Sequence, residues 1–220
     1  MLPTLSGPVH RPSSGAAPRR LLILLHGLGA DGNDLIGLAP VWAPLLPDTE
    51  FVAPNAPFPC DMAPYGFQWF SLQDRSPETI LAGVRAAAPM LDAFIDDALA
   101  ARGLAEKDLA LVGFSQGTMM SLYVGLRRAR AVAGIAGYSG ALIGAESLAA
   151  EIRAKPRVLL VHGDADQVVP FPALARTAAS LGAAGVPVET LVRPGLGHGI
   201  DEEGLRTGAR FLREVLGDGG

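Results

Sequence analysis

The 220-residue chain has a single cysteine, Cys60, so it cannot build an intramolecular disulfide framework and offers no thiolate cluster to a metal. A lone thiol fits a reducing, cytoplasmic setting. Charge is also scarce: Asp, Glu, Lys and Arg make up 18% of the residues, against about 25% in an ordinary soluble domain. The net charge of −4 lacks the basic excess of a nucleic-acid binder. No apolar run approaches the roughly 18 residues of a membrane span. Lys107 and Lys155 are the only lysines among 18 basic residues, a bias expected of a GC-rich bacterial source. Aromatics amount to only 6%.

What is present is small and apolar. Counting glycine, roughly 60% of the chain is apolar, against about 45–50% in an ordinary domain. The surplus lies mostly in Ala, Gly, Leu and Val, which excludes disorder and points to packing by small residues. Arg19-Arg20 ahead of Leu21-Leu22-Ile23-Leu24-Leu25 imitates a twin-arginine export signal. The apolar run stops at His26-Gly27, however, so a short buried strand is the better reading. Residues 1–18, rich in Pro, Ser and Gly, read as a flexible N-terminal arm, and residues 19–220 as one domain.

From residue 19 onward, apolar runs alternate with helical stretches, the pattern of an α/β fold with a mostly parallel sheet covered on both faces. Candidate strands are 20–25, 50–53, 109–113, 132–138, 157–162 and 186–192. A long helix should open at Ser76 as N-cap with Pro77 at its first position, and Gly103 should end it. Its buried stripe is Ile80, Leu81, Val84, Ala88, Leu91, Ile95 and Leu99, and Pro89 should kink or split it. The last helix spans about 202–216, burying Leu205, Ala209, Leu212 and Leu216.

The chemistry concentrates at Gly113-Phe114-Ser115-Gln116-Gly117, which joins a buried strand to a helical segment. A nucleophile elbow requires this context, because the serine occupies a strained turn where glycines allow strand and helix to approach. A serine hydroxyl needs a base in reach, and the base needs an orienting acid, in the chain order Ser, acid, His. Only His162 and His198 follow Ser115, and His162 leaves no suitable acid between, so His198 is the candidate base. Of the carboxylates between, Asp164 and Asp166 follow a strand's C-terminal end, where sites in open sheets assemble. Asp164 suits a turn-closing bond to backbone N–H groups and Asp166 has more reach, but residue chemistry alone leaves both open. Oxyanion donors are expected at the N–H of Gln116 and at the N–H of Leu28, in the glycine-rich loop after the first domain strand. His26 reads as a loop-structuring side chain. A metal site at His162, Asp164, Asp166, His26 and His198 would need a second His close in sequence, and none is there, so neither metal nor cofactor is expected.

Together these segments resemble the phospholipase/carboxylesterase family of α/β-hydrolases, small serine hydrolases that include the acyl-protein thioesterases. The resemblance rests on 25–32 (Leu-His-Gly-Leu-Gly-Ala-Asp-Gly), Pro54-Asn55-Ala56-Pro57, the elbow, His162-Gly163-Asp164-Ala165-Asp166 with Val168-Val169-Pro170, and Gly197-His198. It implies the α/β-hydrolase fold, Asp166 as the acid, Leu28 and Gln116 as oxyanion donors, and a carboxylic-ester hydrolase acting on a small-molecule ester. Where the family often has proline after that acid, this chain has Gln167. Where it commonly has Trp-aromatic-Asp, Trp69-Phe70 is followed by Ser71. An acyl-protein thioesterase or lysophospholipase acting on long acyl chains and a non-catalytic binding protein on the same fold are the rival readings. Phe58, Tyr65, Phe67, Trp69 and Phe70 crowd a proline-stiffened segment and are expected to wall the substrate pocket. A homodimer interface is the alternative use for that segment.

Overall fold

The computed structural model describes residues 4–217. In chain order its elements are β1 (Val9–His10), β2 (Arg20–Leu25), α1 (Gly32–Ile36), α2 (Ala39–Trp42), β3 (Thr49–Val52), β4 (Phe58–Pro59), β5 (Phe67–Gln68), α3 (Pro77–Ala100), β6 (Leu109–Phe114), α4 (Gln116–Gly125), β7 (Gly134–Tyr138), α5 (Ala145–Glu151), β8 (Arg157–Gly163), α6 (Pro172–Ala183), β9 (Val188–Arg193) and α7 (Glu202–Leu216). Seven strands form one sheet in the order β1-β3-β2-β6-β7-β8-β9. All its pairings are parallel except that of β1 with β3. β4 and β5 form a separate antiparallel hairpin.

The continuous apolar strands feed two cores, one on each face, because side chains alternate along a strand. Leu21, Ile23 and Leu25 of β2 and Leu111 of β6 point into the core shared with Val84, Leu91 and Ile95 of α3. Leu22 and Leu24 of β2 and Val112 of β6 point into the other, with Trp42, Phe211 and Leu212. Side chains on both faces of β2 lose nearly all contact with water, which is why its sequence shows no polar alternation.

The helix termini carry the expected signals. Ser76 caps α3, its side chain accepting the Thr79 N–H, and Pro77 occupies the first turn. Pro89 does not split α3, which runs unbroken from Pro77 to Ala100. Pro89 lies on the exposed side, where water can satisfy the carbonyl that proline leaves unpaired. The buried face differs slightly from the expected stripe: Ala87 and Ala98 are buried, while Ile80, Leu81 and Ala88 are only half-buried. Asp201 caps α7 by accepting the Gly204 N–H at 2.8 Å. At the far end Arg20 Nε donates to the terminal carbonyl of Leu216 at 2.6 Å, satisfying a group the helix itself leaves unpaired.

Within the N-terminal segment expected as a flexible arm, residues 5–10 are tied to the sheet. Val9 and His10 pair with Val52 and Phe51 across the sheet edge. The Ala53 N–H donates to Pro8 O at 3.0 Å and the Asn55 N–H to Ser6 O at 2.9 Å. Leu5 is buried. The segment therefore covers an edge that β3 would otherwise expose, an effect of pairing that composition does not report.

Candidate active site

Parallel strands deliver their C-terminal ends to one edge of the sheet, and the loops after β2, β6, β8 and β9 meet there. β6 ends in Ser115, which has φ 54° and ψ −116°, a left-handed conformation strained for any residue with a side chain. The turn is tight enough that only glycine fits on either side. A Cβ on Gly117 would lie 1.8 Å from Leu25 O, and one on Gly113 would lie 2.3 Å from the Thr118 N. Hydrogen bonds fix the elbow to β7: Ser115 N–H donates to Tyr138 O at 2.9 Å, and Thr118 Oγ1 accepts the Tyr138 N–H at 3.0 Å. Among the described residues the Ser115 hydroxyl takes no hydrogen-bond partner, and Ser115 lines a cavity.

His198 lines the same cavity. Its Nδ1 lies 2.8 Å from Asp166 Oδ2. A carboxylate can only accept, so Nδ1 carries the hydrogen and Nε2 is left to take a proton. Phe114, the elbow residue before the serine, packs against the His198 ring with centroids 4.8 Å apart. Asp166 Oδ1 accepts the N–H groups of Val168 and Val169 at 2.9 and 3.0 Å. Burial of the Asp166 carboxyl pushes its pKa up, but bonds from His198, Val169 and Val168 outweigh this and hold it below the ordinary carboxylate value.

Asp164 does something else. Its Oδ1 accepts the Gly195 N–H at 2.7 Å, and the Ala165 N–H donates to Leu196 O at 3.0 Å. These bonds stitch the loop carrying Asp166 to the loop carrying His198, so Asp164 ties two loops together in place of the expected bond within its own turn, and among the described residues it makes no hydrogen bond to the imidazole.

Leu28 and Gln116 both line the cavity. Gln116 is the first residue of α4, so its N–H has no carbonyl within the helix to bond. Among the described residues the Leu28 N–H likewise has no acceptor, although its neighbours Gly29 and Ala30 donate to Phe67 O and Gly27 O. His26 structures this loop, as its position suggests. Its Nε2 accepts the Ala56 N–H at 3.0 Å and its Nδ1 lies 2.7 Å from Gly27 O, which assigns the hydrogen to Nδ1. Desolvation of the buried ring lowers its pKa and favours this neutral form.

The aromatic segment departs from expectation: none of Phe58, Tyr65, Phe67, Trp69 and Phe70 lines the cavity. Trp69 and Phe70 are buried behind it, Tyr65 is 74% exposed, and Phe58 and Phe67 lie half-buried in the β4–β5 hairpin. The buried pair is a buttress. Trp69 Nε1 donates to His26 O at 3.0 Å, and the Gln116 side chain bonds the backbone of both aromatics. The wall is instead aliphatic. Leu72, Ile80, Met119, Val168, Val169 and Pro170 join Leu28 and Phe114 around about 390 Å³, with Asp34 and Arg75 adding charge. Met119 lies four residues after Ser115, one helical turn away, so helical spacing from the elbow points to it. Ile80 read as core because helical periodicity does not distinguish core from cavity. Among the described residues no three His, Cys, Asp or Glu side chains converge as a metal site would require. None of the described helices is long and apolar enough to cross a membrane.

A family model described as Phospholipase/Carboxylesterase matches residues 12–216. The crystal structure of esterase PE8 superposes with a TM-score of 0.93 at 46% identity, covering 97% of this chain and 100% of that one. Acyl-protein thioesterase 1 of Schizosaccharomyces pombe is 30% identical over 207 residues, covering 89% of this chain and 91% of the relative. A protein of Oryza sativa subsp. japonica named as a probable inactive carboxylesterase is 27% identical, over 93% of this chain and 89% of its own length.

Proposed function

Since this chain belongs to the phospholipase/carboxylesterase family of α/β-hydrolases and is a carboxylic-ester hydrolase, we propose that it works through a Ser115-His198-Asp166 triad and an acyl-enzyme. Ser115 Oγ attacks the ester carbonyl carbon while His198 Nε2 takes its proton. The oxyanion accepts the N–H groups of Leu28 and Gln116. His198 then returns the proton to the departing alkoxide, leaving Ser115 acylated, and water repeats the attack to release the acid. Asp166 holds Nδ1–H and stabilises the imidazolium. No metal or cofactor enters these steps.

One observation carries this reading: the His198 ring, tethered at Nδ1 by a buried carboxylate, borders the same cavity as an unpartnered serine hydroxyl on a strained elbow. The cavity, about 390 Å³ and largely aliphatic, lies toward the small end of ligand sites, which run to roughly 300–1,000 Å³. That size supports small to medium esters. The likeness to acyl-protein thioesterase 1 keeps a long-chain thioester reading in play, and matched ester and thioester series of rising chain length separate the two.

A fluorophosphonate probe should label wild-type protein at Ser115 and leave Ser115→Ala unlabelled. Absence of both labelling and turnover across a broad ester panel overturns the triad and favours a binding protein on this fold. We further infer a cytoplasmic bacterial setting from the lone cysteine and the arginine bias.

A further inference from the structure

His162 ends up inside the site although the mechanism above gives it nothing to do. It lies near the C-terminal end of β8, with only 1% of its side chain exposed, four residues before Asp166. Its Nε2 bonds Val169 O at 2.9 Å, and Asp166 Oδ2 lies 3.3 Å from the same nitrogen. Neither neighbour can donate, so Nε2 must carry a hydrogen whatever the state of the other ring nitrogen. The loop closes on itself through this ring: Val169 gives its N–H to Asp166 Oδ1 and receives the His162 donor at its carbonyl.

We propose that His162 is a positioning residue for the acid of the triad, its Nε2–H shared between Val169 O and Asp166 Oδ2. The proposal rests on the triad reading above. Asp166 takes three hydrogen bonds, from Val168 and Val169 on Oδ1 and from His198 on Oδ2, and the His162 N–H, 3.3 Å from Oδ2, adds a second donor on that oxygen. The backbone pair alone would fix one oxygen and leave the carboxylate free to swing about it. A donor on Oδ2 from the side of β8 pins the second oxygen and directs its remaining lone pair at His198. Because Val169 also borders the cavity, the same ring ties the acid to the substrate wall.

The test compares two replacements of nearly equal volume, His162→Gln, which keeps an N–H donor, and His162→Met, which has none. His162→Met should lower kcat/KM roughly 10–100-fold, the loss of one hydrogen bond to a charged group, chiefly in kcat and with KM unchanged. Its acidic limb should move to higher pH, because Oδ2, with one donor fewer, favours the protonated His198 ring more strongly. His162→Gln should restore most of the rate and return the limb. Wild-type behaviour of His162→Met overturns the proposal, as does equal impairment of both variants with an unmoved limb. If His162→Met does not fold, the nitrogen-15 spectrum of the wild-type His162 ring decides, since a ring without hydrogen on Nε2 overturns the proposal. Asp166→Asn separates the two levels. If it turns over normally, the triad reading fails and this proposal with it; if it is inactive while His162→Met is unimpaired, only the role of His162 falls.

Discussion

Gln116 holds Trp69 and its neighbour through both ends of one side chain. Oε1 accepts the Trp69 N–H at 3.1 Å and Nε2 donates to Phe70 O at 2.8 Å. This cavity-lining residue thus locks the aromatic segment against the elbow, and Trp69 in turn holds the loop of His26 and Leu28. The two proposed oxyanion donors are linked through a buried tryptophan.

Gln116→Met should therefore damage stability and rate together. It strands a buried N–H and a buried carbonyl, each costing about 1–3 kcal/mol, so a fall in Tm of roughly 5–15 °C is expected in calorimetry. Turnover of an acetyl ester should drop at the same time, because the Leu28 loop loses its support. Unchanged Tm and kcat would show that the clamp does not matter.

The aliphatic wall, rather than the aromatic segment, should set chain-length preference. Met119→Trp or Ile80→Trp should depress kcat/KM for hexanoyl and longer esters by about 10-fold or more while sparing acetyl esters, since lost methylene contacts and overpacking each cost about 1–3 kcal/mol. Tyr65→Ala, at an exposed position, should leave the whole acyl series within about twofold. A strong effect of Tyr65→Ala on that series would return the aromatic segment to the wall.

The acid limb of stability should carry the signature of Asp166. A carboxyl held below its ordinary value stabilises the fold once pH exceeds the unfolded value of about 3.9, and that contribution fades as pH falls through the folded value. Asp201, capping α7 and paired with Arg193, is lowered likewise. Urea titrations should show stability falling below about pH 4, with a shallower slope in Asp166→Asn. An identical slope in that variant would contradict the direction of the shift.

The N-terminal segment should behave as part of the sheet. Removing residues 1–18 deletes the pairing of Val9–His10 with β3 and uncovers buried Leu5 contacts. The truncated protein should melt lower and associate through the bared edge, as read by calorimetry and light scattering. A truncated chain as stable and monodisperse as the full one would restore the picture of an arm.

Much of this protein is written locally. β2 and α7 appear at the bounds that apolar runs and caps predict, and the elbow follows from five consecutive residues, because strand period, helix capping and tight turns depend on neighbours in sequence. The nucleophile, base and acid candidates came from chain order and motif for the same reason. What tertiary structure alone decided is where side chains face once distant segments meet. An aromatic, proline-rich segment reads the same whether it lines a cavity or stands behind one, and only contacts between residues 26, 69 and 116 made it a buttress. Composition could not reveal that residues 9–10 find a partner more than forty residues away. Nor could spacing show that His162, passed over as the base, bonds Val169 O and lies 3.3 Å from Asp166 Oδ2, because that depends on how the chain from β8 to Val169 folds back on itself.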